Sequence, residues 1–90
     1  MTIDMNDDEQ QALDDLLELI PIPGPPAGES VVAAHLREKL IAIGIPETAI
    51  STDNAQNQSE YGGDTGNLIV CLAGHGHGER WMFSTHMDTV

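Results

Sequence analysis

Asn67-Leu68-Ile69-Val70-Cys71-Leu72-Ala73-Gly74-His75-Gly76-His77-Gly78-Glu79-Arg80-Trp81-Met82-Phe83-Ser84-Thr85 holds two apolar runs separated by a polar, glycine-rich interval. The first run, residues 68–72, has no polar alternation, which is the pattern of a strand covered on both faces. Three glycines and two histidines in residues 74–78 mark a turn. Trp81-Met82-Phe83 then reads as a second buried strand that leads into Ser84-Thr85-His86-Met87-Asp88-Thr89-Val90. The two strands are placed at about residues 67–72 and 80–85.

Upstream, residues 54–66 are polar, contain Gly62, Gly63 and Gly66, and read as a loop. Ala49-Ile50-Ser51-Thr52 suits a short edge strand at about residues 48–52. Before it, Val32, Leu36, Leu40 and Ile43 form one stripe of a helix over about residues 29–43, stopped by Gly44 and Pro46. Pro21, Pro23, Pro25 and Pro26 crowd the segment ahead of that helix, where proline removes amide donors and forbids helical geometry to its predecessor. A rigid turn between two helices follows. The first helix spans about residues 7–20, with Leu13, Leu16, Leu17 and Ile20 spaced as one apolar face. Asn6 and Glu9 have the spacing of a capping box, and Asp7 and Asp8 suit the positive end of the helix dipole. That placement accounts for the acidic run without a cation site.

Helices followed by buried strands specify an α/β layered fold whose sheet expects helices on both faces. Only one covering side is present, so a large apolar patch is expected to remain open. The chain is therefore expected to be the front part of a longer protein, or one whose remainder is supplied elsewhere. Its 90 residues make at most one small domain, and an isolated fold of this size buries only ~60–65% of its unfolded surface.

Fifteen acidic residues against three basic ones give a formal charge of -12, which disfavours nucleic acid and anionic membrane surfaces as partners. The amino terminus is acidic where an export signal would be basic, and no apolar run approaches the roughly 20 residues needed to cross a bilayer. Cys71 is the single cysteine and has no partner for an internal bridge. The expected location is the cytoplasm.

Two residues at the end of the last strand can carry chemistry. His86 and Asp88 are two apart, and in extended chain such residues project to the same side. An imidazole at a strand's carboxyl end is suited to metal binding in the crevice of an α/β sheet, and a neighbouring aspartate can fix its tautomer. Capping and simple hydrogen bonding explain the same spacing. His75 and His77 could converge on a metal, although a polar turn is the plainer reading. His35 reads as a partly exposed helix residue, while Cys71, Trp81 and Phe83 read as core. Ser84 lacks a Gly-x-Ser-x-Gly elbow, and Gly63-Asp64-Thr65-Gly66 lacks the lysine and helix of a phosphate loop.

Residues 84–90 resemble the first metal-site motif of the co-catalytic zinc metallopeptidase family that includes tripeptidase T, carboxypeptidase G and aminoacylase. The likeness extends to Leu16-Leu17-Glu18-Leu19-Ile20-Pro21-Ile22-Pro23, to Gly28-Glu29 and to Asn67-Leu68-Ile69-Val70, in the family's order. Gly63-Asp64-Thr65-Gly66-Asn67-Leu68-Ile69 is similar to the tripeptidase-T-like branch, in which Gly-x-Thr-Gly-Asn-Leu enters this strand. The resemblance implies that the chain begins a three-layer α/β/α catalytic domain with a mixed sheet. It implies His86 as a ligand of zinc and Asp88 as the catalytic residue that holds and polarises the His86 ring. Two zinc ions are implied for the complete enzyme, with the bridging aspartate, the glutamate general base and the other ligands lying outside these residues. Short peptides, above all tripeptides, are the implied substrates, and a dimerisation domain, hence a homodimer, is implied for the full-length protein. The alternatives are an N-acyl-amino-acid amidohydrolase or deacylase of the same family, or a non-catalytic α/β interaction module. Alone, the 90 residues are expected to be inactive.

Overall fold

The computed structural model describes residues 4–60 and 62–88. In chain order the elements are α1 (Asp7–Leu19), α2 (Ser30–Ala42), a 3-10 turn (Glu47–Ala49), β1 (Ile50–Thr52), a second 3-10 turn (Ala55–Gln58) and β2 (Leu68–Val70). The chain is α/β, with two helices ahead of a two-stranded antiparallel sheet in which Ile50 faces Val70, Ser51 faces Ile69 and Thr52 faces Leu68.

Both helices end where local chemistry dictates. Asn6 Oδ1 accepts the Glu9 N–H at 2.8 Å, and the Asn6 side-chain amide donates to Glu9 Oε1 at 3.2 Å. The reciprocal cap thus forms, but Glu9 returns to the Asn6 side chain rather than to its backbone. At the end of α2 the Ile45 N–H reaches the Leu40 carbonyl at 3.0 Å and the Gly44 N–H reaches that of Ile41 at 3.0 Å. These paired bonds make a Schellman motif, and they require the left-handed backbone that Gly44 adopts at φ 104°.

The apolar stripe of α1 does not face α2. Lys39 Nζ of α2 lies 2.8 Å from Glu18 Oε2 and 3.0 Å from Asp15 Oδ1, and His35 Nε2 lies 3.3 Å from Glu18 Oε1. Leu19 joins Leu36, Leu40 and Ile43 in lining the groove between the helices. Leu13, Leu16, Leu17 and Ile20 fall on the other side of α1 and remain exposed. The side of α1 that meets α2 thus carries Asp15, Glu18 and Leu19, with Lys39 paired to both carboxylates.

Among the described residues the buried apolar side chains are Val32, Ala33 and Ile50. The chain exposes 7671 Å², against roughly 5,100 Å² for a folded monomer of its mass. Its radius of gyration is 15.5 Å, against about 12 Å for a compact domain of this length.

The strand placed at residues 80–85 does not form here, and no strand lies between Cys71 and Asp88. Trp81, Met82 and Phe83 are 80%, 89% and 92% exposed. A doubly covered strand needs a neighbour for its ladder and a layer for each face, and the described residues supply neither. Among the described residues the sheet is a single antiparallel pair. The other strands are shorter than expected, although Cys71 N–H to Ala49 O at 2.9 Å and Asp53 N–H to Asn67 O at 3.2 Å continue the pairing beyond both ends.

Candidate functional site

His86 and Asp88 approach each other, although the strand expected to carry them does not form. His86 Nδ1 lies 3.7 Å from Asp88 Oδ1, with side-chain exposures of 95% and 37%. The separation is too long for a hydrogen bond, so the carboxylate stands on the Nδ1 side of the ring without engaging it. Thr89 and Val90, the last two residues of the metal-like motif, lie outside the described residues, as does Tyr61.

Zinc takes three or four protein ligands or an open site of three. Among the described residues no group of three or more His, Cys, Asp or Glu side chains converges so as to hold a metal ion. The donor set present therefore fits one ligand and its orienting carboxylate, and does not fit a complete zinc site. His75 and His77 stand exposed in the turn, apart from any such group.

Cys71, expected to be packed, is exposed. It lines an open groove with Pro46, Thr48, Ala49, Leu72 and Ala73. Among the described residues no layer covers the apolar run that includes Cys71, and Trp81 and Phe83 are likewise exposed. Ser84 is exposed and belongs to no strand or helix. His35, expected to be partly exposed, is so, beside Glu18.

Two carboxylates matter more to this architecture than the sequence reading showed. Asp64 Oδ2 accepts the Ser30 hydroxyl at 2.6 Å and Oδ1 accepts the Ser30 N–H at 3.2 Å. Glu29, at the cap position of α2, makes no side-chain cap bond. Asp64 therefore caps α2 from a loop 34 residues away and answers its positive dipole end. This is what the Gly63-Asp64-Thr65-Gly66 stretch does in place of phosphate binding.

Asp53, at the end of β1, closes the neck of the 54–66 loop. Its Oδ1 accepts the Ala55 N–H at 3.1 Å and the Asn67 N–H at 2.8 Å, while Oδ2 accepts the Asn67 side-chain amide at 2.9 Å. The Asn67 side chain, followed by the Ala55 and Asn67 backbone amides, holds the Asp53 carboxyl below its ordinary 3.8. The only sequence signal was an Asx residue at a strand end ahead of a turn.

These groups give stability a defined pH window. Asp15 is also held low, by hydrogen bonds from Lys39 and then Gln11, and Lys39 is held above 10.5, by Glu18 and then Asp15. The carboxylates contribute fully above their unfolded values and lose that contribution as pH falls through the lower folded values. The Lys39 contribution is complete below its unfolded value and disappears as pH rises through its higher folded one. Urea midpoints followed by circular dichroism are expected to be level between roughly pH 4 and pH 10 and to fall on both sides. Asp53→Asn should remove part of the acid limb. A midpoint unchanged by acidification below about pH 3 contradicts this account.

No family model matches the chain, and no curated protein or solved structure matches it. No helix among the described residues is long and apolar enough to cross a membrane.

Proposed function

We propose that this chain is the amino-terminal segment of the catalytic domain of a cytoplasmic zinc-dependent exopeptidase acting on short peptides, tripeptides foremost. The observation that carries the reading is the His86–Asp88 pair, in which the carboxylate comes within 3.7 Å of Nδ1, beyond hydrogen-bond range, beside a highly exposed ring. The excess exposed surface supports it, because a three-layer α/β/α domain with a mixed sheet would cover the apolar run at residues 68–72 and pair the run at 81–83. Zinc bound there would supply a water of lowered pKa and a Lewis acid for the peptide carbonyl. The residues of this chain have narrower tasks. His86 donates one ring nitrogen, and Asp88 fixes which nitrogen that is. The second ion, the general base and the substrate contacts belong to the remainder of the domain, which also decides between peptidase and deacylase.

Purified 90-residue chain supplied with zinc is expected to hydrolyse a tripeptide no faster than a zinc-only blank. It is also expected to retain less than one tightly held zinc per chain, since one imidazole is too few. Hydrolysis above the blank overturns the assignment of the other ligands to a missing remainder. A tightly held single zinc would transfer attention to His75 and His77. In a longer polypeptide containing this segment, zinc-dependent hydrolysis of short peptides supports the proposal, whereas a structure with no acidic cluster converging on His86 removes it.

A further inference from the structure

The chain has four histidines, and the structure divides them into two kinds. His35 lies 3.3 Å from Glu18, and His86 lies 3.7 Å from Asp88. His75 and His77 are both exposed, and among the described residues neither has a hydrogen bond or an ion pair. They sit in Gly74-His75-Gly76-His77-Gly78, where glycine flanks each ring on both sides. Gly76 and Gly78 adopt left-handed backbone at φ 79° and 86°, and a Cβ at Gly74, Gly76 or Gly78 would meet nothing within 4 Å. The backbone of this turn is therefore uncovered, which is the condition for close approach of main-chain groups to a ligand.

We propose that His75 and His77 form a binding site for one late first-row divalent ion, copper(II) first and nickel(II) next, completed by peptide groups of the turn and by water. Residues two apart have Cα atoms at most ~7 Å from one another. Exposed side chains with no partner change rotamer freely, so both rings can reach a single ion at the ~2 Å of a metal–imidazole bond. The choice of ion follows from what else is present. Among the described residues no group of three His, Cys, Asp or Glu side chains converges, so zinc, which takes three or four side-chain ligands, is poorly served. Copper(II) and nickel(II) take square or tetragonal sets of nitrogen and oxygen, which peptide groups can complete, and the divalent series places copper highest. The net charge of -12 draws cations towards the chain without choosing among them. A connecting turn keeps to the surface whether or not further layers cover the apolar runs on either side of it. The site therefore shares no ligand with His86, and it stands or falls separately from the peptidase reading.

The test is titration of the 90-residue chain with copper(II), nickel(II) and zinc(II) salts in turn, followed by calorimetry and by proton NMR of the imidazole rings. Copper is titrated into Cys71→Ser, so that no exposed thiol is present to reduce it. The expected result is one copper per chain, selective broadening of the His75 and His77 ring signals, and affinity falling from copper to nickel to zinc. His75→Ala and His77→Ala should each weaken nickel binding by more than the roughly 10-fold that loss of a mere orienting partner costs. Both should keep the parent's urea midpoint, since neither ring belongs to the buried set of Val32, Ala33 and Ile50. His86→Ala should leave copper affinity unchanged. Zinc bound as tightly as nickel, broadening centred on His86 or on the amino-terminal carboxylates, or copper binding undiminished when both His75 and His77 are replaced by alanine would each overturn the proposal.

Discussion

Gly66→Ala is expected to destabilise the sheet by about 3 kcal/mol, at the upper end of what overpacking costs. Gly66 is buried at the neck of the 54–66 loop. A Cβ there would run into the Asp53 backbone carbonyl, at a separation no real side chain tolerates, and would meet Asp53 Oδ1 at 2.5 Å. Neither atom can move aside cheaply. The carbonyl is main chain, and Oδ1 is fixed by the Ala55 and Asn67 amides. Relief would come from parting Asp53 from Asn67, which breaks the last rung of the ladder beyond the Thr52–Leu68 pair. Because the chain buries so few apolar side chains, it has little reserve to absorb the loss. Urea unfolding should show a large fall in midpoint, and the amide protons of Asp53, Asn67 and Cys71 should exchange faster. Gly74→Ala is the control. A Cβ at Gly74 meets nothing within 4 Å, so its midpoint should stay near that of the parent. Equal effects at the two glycines would show that general backbone stiffening, rather than the Asp53 contact, governs the hairpin.

The contrast between these glycines shows which parts of the structure were legible in the sequence. Helix boundaries were, to within a residue, because caps and stops act over three or four positions: Asn6 with Glu9, the proline cluster, and Gly44 with its left-handed backbone. The order of helices and the first two strands were legible for the same reason. The orientation of α1 was not. Periodicity identified the stripe of Leu13, Leu16, Leu17 and Ile20 but could not say what would cover it, and the opposite side of the helix, with Asp15 and Glu18 paired to Lys39, is the one that meets α2. The third strand was misplaced by the same physics. An apolar run predicts burial, yet burial needs a second surface, and residues 81–83 have none among those described. Asp64 and Asp53 were missed because their partners lie 34 and 14 residues away, beyond any spacing rule. His86 and Asp88 lie 3.7 Å apart without the strand from which their common side was expected, so the two-residue spacing alone does not account for the approach.

Under the function proposed above, in a longer zinc-loaded polypeptide containing this segment, His86→Ala is expected to bring hydrolysis of short peptides below detection. Asp88→Asn is expected to lower zinc affinity or turnover by roughly 10- to 100-fold. The two differ because their tasks differ. Losing the imidazole removes a donor nitrogen outright. An asparagine at position 88 keeps the size of the side chain and can still accept a hydrogen bond, but it offers no negative charge to hold the ring or to raise its basicity. A structural explanation of either loss can be tested separately. His86 is 95% exposed, and neither His86 nor Asp88 belongs to the buried set of Val32, Ala33 and Ile50. Both variants of the 90-residue chain should therefore keep the parent's urea midpoint. If the midpoint falls with activity, the pair supports the fold rather than the chemistry. If His86→Ala retains full zinc-dependent turnover, His86 holds no metal, and the exposed ring must be assigned elsewhere. Between those outcomes, a graded loss at Asp88 that excess zinc partly restores would locate its effect in the orientation of the His86 ring, because added metal can offset a weakened ligand but cannot replace a missing reacting group.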